Sequence, residues 1–212
     1  MSGARYRFMP TRSLTEGALA VALSEVLFIS GRYLPAGFLV AFFGAVPLAL
    51  LARRRGLKVG ALAATAALLL ILVLGGPSGL FIASPHAICG TLMGALLRVG
   101  RGIPACLVVG IGVRVVLYPV GFVFFIYLVL GADGVETFLT ATRPLLENLD
   151  RYLGVVGISL SSVGPIGLFA VFLLLWSIVA GTNQALVVPL FIRRALPPSL
   201  NTDAVLDASR TR

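Results

Sequence analysis

Apolar residues run through this chain in long blocks broken by short polar or charged punctuation. Leu14–Ser30, Tyr33–Ala52, Val59–Leu74, Gly79–Leu97, Ile103–Leu130 and Ile166–Ile192 consist mostly of Leu, Val, Ile, Ala, Phe and Gly. A helix that crosses a bilayer needs about 20 mostly apolar residues, with a range of roughly 17–25. The third block is short but almost pure Ala, Leu, Ile and Val. The fifth is long enough to tilt, or to kink near Pro119. Leu68 to Leu74 is apolar without a break, whereas the strands of a membrane barrel alternate apolar and polar residues. Helices, whose backbone groups bond within the segment, are therefore the expected spanning elements. The pattern predicts an all-α integral membrane bundle of six transmembrane helices. The transmembrane domain covers 14–192, after a basic N-terminus 1–13 and before a tail 193–212. The first block has no obvious cleavage signature and the chain re-enters the membrane after it, so it reads as a span and not a signal peptide.

One internal segment, 131–165, departs from this pattern. Val135, Phe138, Leu139, Leu145, Leu146, Leu149, Tyr152 and Leu153 recur at helical spacing, with Glu136, Arg143, Glu147, Asp150 and Arg151 largely between them. This predicts an outer amphipathic helix between spans five and six, interrupted or restarted at Pro144. It either lies in the outer interface and covers the bundle or acts as a lid over an outward pocket. Gly154–Pro165, with Ser159, Ser161 and Ser162, is its expected flexible return.

Composition agrees. Hydrophobic residues make up 58% and charged residues 12%, with 24 glycines besides, against about 25% charged residues in a typical soluble domain. So few polar residues cannot cover a soluble surface, and disorder needs the opposite balance. The net charge of +9 calls for placement. With the N-terminus inside, Arg5, Arg7, Arg12, Arg53, Arg54, Arg55, Lys58, Arg98, Arg101, Arg193, Arg194, Arg210 and Arg212 all fall inside. Only Arg32, Arg143 and Arg151 fall outside, and Arg114 lies within a span. The excess of inside Lys and Arg predicts that both termini are inside. Attraction to anionic inner-leaflet lipid is compatible with this placement. Nucleic-acid binding is set aside, because no aromatic residues interleave with the basic clusters and no binding motif appears.

Ionisable side chains within spans cost roughly 2.5–3.5 kcal/mol on insertion scales and mark function by default. Glu25 and Arg114 each lie eleven residues beyond the inner start of their block, which at 1.5 Å per residue is near mid-membrane. They pair with each other, or Arg114 faces a cavity and binds an anionic group. Glu16 is expected at the inner interface. His86, after Pro85, is either a hydrogen-bonded packing residue or a ligand and proton carrier. Arg114, His86 and Glu25 are thus the ligand-binding candidates. Asn183 and Gln184 are expected interhelical hydrogen-bond partners. Cys89 and Cys106, both within spans, suggest neither a disulfide framework nor a zinc site. Small residues let membrane helices approach: Gly90 and Gly94 form a GxxxG, Ala41, Ala45 and Ala49 a stripe, and Ala18 and Ala22 an AxxxA. No catalytic motif, nucleotide fingerprint or metal signature appears, so neither enzyme activity nor a cofactor is expected. Active transport would need ATPase partners.

The order of features resembles one family. A basic N-terminus leads into Leu14-Thr15-Glu16-Gly17-Ala18-Leu19-Ala20-Val21-Ala22-Leu23. The second span ends in Arg53-Arg54-Arg55-Gly56-Leu57-Lys58-Val59-Gly60-Ala61. Gly75-Gly76-Pro77-Ser78-Gly79-Leu80 follows the third, and the fourth ends in Gly94-Ala95-Leu96-Leu97-Arg98. Over roughly residues 10–195 this resembles the YybS-like family of bacterial multi-pass membrane proteins, itself similar to the S components of energy-coupling-factor (ECF) transporters. The resemblance implies a bacterial-type cytoplasmic membrane location and capture of a small solute from outside. It also implies docking to an energy-coupling membrane subunit driven by ATPases, through a first-helix AxxxA that maps to Ala18 and Ala22. The chain departs from typical S components in its mid-span Glu25 and Arg114 and its outer amphipathic segment. It shows no signature for riboflavin, thiamine, biotin or cobalt. A scaffold or assembly factor without a small-molecule ligand, holding partners through Gly90/Gly94 and the basic inner loops, is the alternative.

Overall fold

Long apolar blocks with few breakers give helices almost throughout. A computed structural model of the protein contains α1 (Thr11–Tyr33), α2 (Gly37–Arg55), α3 (Leu57–Arg98), α4 (Ile103–Phe125), α5 (Gly134–Gly154) and α6 (Gly164–Ala195). The structure describes residues 11–34, 37–125, 131, 133–155 and 164–195, and no strand occurs among them. Arg5 and Arg7, the end of the fifth predicted span, Ser159, Ser161 and Ser162, and the tail with Arg210 and Arg212 lie outside the described residues. Among the described residues, four stretches are long and apolar enough to cross a membrane: Thr11–Gly31, Leu57–Arg98, Ile103–Phe124 and Phe169–Ala195. Their outer faces expose Leu19, Leu23, Leu62, Leu69, Val108, Val116, Leu174 and Leu175, a surface matched to lipid tails and unsuited to water. The chain is a multi-pass membrane protein in contact with the bilayer.

The 42 residues of α3 would measure about 63 Å if straight, twice the roughly 30 Å of a hydrocarbon core. The helix instead breaks at Gly76, with φ +67° and ψ −171°, a conformation essentially confined to glycine. Pro77 starts the second limb, since its fixed φ suits a first helical position. The Ser78 hydroxyl donates to the Gly75 carbonyl at 3.4 Å. The two limbs fold back on each other. Arg98, the last residue of α3, donates through Nη1 to the Arg54 carbonyl at 3.0 Å, just before the helix begins. A Cβ added to Gly60 on the first limb would lie 3.1 Å from Thr91 Cγ2 on the second. The third and fourth apolar blocks of the sequence form these two limbs.

Helix α2 is the centre. Ala45, Leu48, Ala49 and Ala52 are wholly enclosed. Its alanine stripe meets the GxxxG of the second α3 limb: a Cβ on Gly90 would lie 2.6 Å from the Ala45 carbonyl oxygen, and one on Gly94 would strike that of Ala49. One core cluster joins α1, α2 and both limbs through Phe28, Leu48, Ala67, Ile71 and Ala87. A second joins α2, the second limb, α4 and α6 through Ala49, Met93, Cys106, Val188 and Ile192. At the far end Phe138 of α5 packs its ring 4.9 Å from both Phe122 of α4 and Phe169 of α6. The expected interruption of the amphipathic segment does not occur, because α5 runs through Pro144 as one helix. An Arg143–Glu147 pair one turn apart, at 3.5 Å, spans that proline on the exposed face.

Candidate functional site

Close approach of α4 and α6 makes the site possible. A Cβ on Gly110 would lie 2.7 Å from the Gly181 carbonyl oxygen, and one on Gly181 would lie 2.8 Å from that of Gly110. Neither helix tolerates a side chain there. One turn further along each helix stand Arg114 and Gln184, so the glycine contact brings those two together.

Arg114 has no exposure. Its Nη1 donates to the Gly110 carbonyl at 3.1 Å, closing a turn of its own helix, and contacts Cys89 Sγ at 3.3 Å. Its Nη2 donates to Gln184 Oε1 and meets His86 Nδ1 at 3.1 Å. A guanidinium has no lone pair to offer, so His86 Nδ1 is the acceptor and the ring is the neutral Nε2–H tautomer. Gln184 Nε2 donates to the His86 carbonyl at 3.1 Å, which locks the amide orientation. Cys89 Sγ points back to the Gly110 carbonyl at 3.8 Å. The network therefore ties the second α3 limb, α4 and α6 together through one cation. Two aromatic rings wall it off. Phe42 of α2 stands edge-on to His86 at 5.0 Å, and Phe28 of α1 lies 6.3 Å from the same ring.

Every partner of Arg114 is formally neutral, and its Nε has none. Ion pairs among the described residues include those of Glu16 with Arg12 and Arg55, and of Arg143 with Glu147. Glu25 does not supply the counter-charge. It is buried on the inward face of α1, and neither carboxyl oxygen has a hydrogen-bond partner. Arg114 and His86, read separately from the sequence, thus converge, while Glu25 stands apart. Gln184 is a partner as expected, and Asn183 beside it faces outward. Cys89 was legible only as a buried thiol. Its place beside Arg114 follows from lying one turn after His86. Gly110 and Gly181 carry no motif, and only their contact shows their role.

Elsewhere the described residues line further apolar cavities. One, of about 290 Å³, sits between α1, α2 and the Gly76 break, with Phe28, Ala41 and Ile71 among its walls. A second, of about 330 Å³, runs along α1, α2 and Phe191, with Glu16 and Arg54 at its charged end. The third, of about 430 Å³, lies between α1 and the first α3 limb and is lined in part by Ala18, Ala22 and Ala63. Ala18 and Ala22 are exposed there. At the charged end Glu16 accepts from Arg55 Nε at 2.7 Å and Nη2 at 2.6 Å. That carboxylate raises the pKa of the Arg55 guanidinium above its ordinary value.

The family described as predicted membrane protein (DUF2232) matches residues 22–159, which include α2, α3, α4 and α5 and all site residues but Gly181 and Gln184 of α6. No curated protein matches the chain. No solved structure matches it either.

Proposed function

From the premise that the chain belongs to the predicted membrane protein family DUF2232, we propose that it captures a small anionic solute within the membrane. In this reading it acts as an S-component-like subunit of an energy-coupling-factor type importer. The observation that carries this reading is Arg114, a fully enclosed cation whose partners are all neutral. An uncompensated charge inside a bilayer is expensive and is placed there for a purpose. A carboxylate or phosphate entering beside Gln184 and His86 would supply the missing charge, accepting from the unpartnered Nε and, by displacing Gln184 or His86, from Nη2 as well. The orientation that goes with this reading has six crossings and both termini inside. The fold-back at Gly76 supports it, because it brings Arg98 to the end that holds Arg54 and Arg55. The inner end is then the basic one, in a bacterial-type cytoplasmic membrane, and α5 lies outside between the last two crossings. Ala18 and Ala22 line an outward-facing groove on α1, where a coupling membrane subunit with its ATPases would dock.

Native mass spectrometry of protein extracted from its own membranes tests the capture. Wild-type protein should retain an anionic small molecule, and a folded Arg114→Gln variant should lose it. Absence of any bound molecule from wild type, or its retention by the variant, refutes the reading.

A second reading, a scaffold without a small-molecule ligand, draws on a different observation. The Nη atoms of Arg114 are engaged internally, and none of the three cavities is lined by it. There the cation is a clamp between helices, and ligand-free wild-type protein is the expected result.

A further inference from the structure

Helix α1 turns Leu14, Leu19, Leu23 and Val26 outward and Ala20, Ser24, Glu25 and Phe28 inward. Glu25 is 4% exposed, and both its oxygens lack partners; the adjacent Ser24 hydroxyl is wholly buried and also unpartnered. Helix α1 rests on α2 and α3. Between Gly37 and Ala52, α2 carries no ionisable residue. Its arginines begin at Arg53, and Arg55 is committed to Glu16, nine residues and about 13 Å along α1 from Glu25. On α3, Lys58 and Arg98 stand exposed at its two ends. His86 and Cys89 in the middle are gathered on Arg114 of α4, behind the Phe28 and Phe42 rings. No cation reaches Glu25 among the described residues, and no hydroxyl or amide donor does.

An ionised carboxylate with neither counter-charge nor donor is untenable in an apolar interior, and such a group takes up a proton instead. We propose that Glu25 is a proton-binding site inside the bundle, protonated at neutral pH while α1 rests on α2 and α3. The proton is the ligand. The proposal is independent of solute capture at Arg114, which lies on other helices.

Infrared spectroscopy of the protein in lipid at neutral pH tests it. The expected signal is the carbonyl band of a protonated, non-hydrogen-bonded carboxylic acid. It should shift in D2O, vanish reversibly at alkaline pH, be absent from Glu25→Gln and persist in Glu16→Gln. Absence of the band from wild type, its survival in Glu25→Gln, or a band that neither exchanges nor titrates overturns the proposal. Should Glu25→Gln fail to fold, wild type alone decides. A membrane-soluble carbodiimide, which attacks protonated carboxyls in apolar surroundings, should label the Glu25 peptide at neutral pH and less as pH rises. Unlabelled Glu25, or labelling indifferent to pH, counts against it.

Discussion

Replacing Gly90 by alanine adds one methyl group where α2 and the second α3 limb touch. That methyl carbon would lie 2.6 Å from the Ala45 carbonyl oxygen, 2.9 Å from its Cβ and 3.1 Å from its Cα, where ordinary contact begins at 3.4 Å. The nearest obstacle is backbone, so no rotamer change relieves it and the helices must part by about 0.8 Å. Overpacking of this kind costs about 1–3 kcal/mol. Gly112→Ala on α4 is the control, since nothing lies within 4 Å of its added carbon and it brings the same helix-propensity gain of about 1 kcal/mol. The difference between the two variants isolates the clash. It should amount to about 1–3 kcal/mol, a factor of about 5–150 in the folding equilibrium. Reversible unfolding in mixed micelles, followed by circular dichroism against denaturing detergent, measures it. Adding Ala45→Gly to Gly90→Ala should restore only part of the loss, because the carbonyl contact remains. Equal stability of Gly90→Ala and Gly112→Ala would refute the packing argument.

Gly76→Ala should destabilise by about 1–3 kcal/mol in the same assay although its surroundings are open, because its φ of +67° excludes a side chain on backbone grounds. Gln184→Leu leaves an Arg114 N–H without its acceptor and removes a second bond to the His86 carbonyl, which keeps its place in the helical ladder; it should cost about 1–3 kcal/mol for the orphaned N–H, read as a lowered melting temperature. Ala18→Leu with Ala22→Leu should leave that temperature unchanged, since both side chains face outward, yet abolish co-purification with a coupling membrane subunit. Lys58→Cys should react with an impermeant maleimide only from the inside and Arg143→Cys only from the outside. The native Cys89 and Cys106 are buried and should give little background.

Depth was legible in the sequence, and direction around each helix was not. Counting residues from the ends of the blocks puts Glu25 and Arg114 in the middle of their helices, but depth does not say which neighbour a side chain faces. Arg114 points to α3 and α6, Glu25 points into the α1–α2–α3 core, and the pairing their depth invited does not form. The small-residue motifs behave alike. Gly90/Gly94 and Ala41/Ala45/Ala49 were each visible, while their mutual contact depends on the fold-back at Gly76. The Gly75-Gly76-Pro77 sequence marked that break, because only glycine and then proline suit its two successive conformations. Gly110 and Gly181 stayed hidden among 24 glycines, since an isolated glycine has no periodicity to mark it.

The break at Gly76 also bears on how the protein is made. Its two limbs are joined through a single non-helical residue, so no hydrophilic tether separates them as they leave the ribosome. In the proposed six-crossing topology the pair would enter the bilayer together as one inserting hairpin, and an epitope or tag placed between residues 75 and 78 should impair assembly of the bundle.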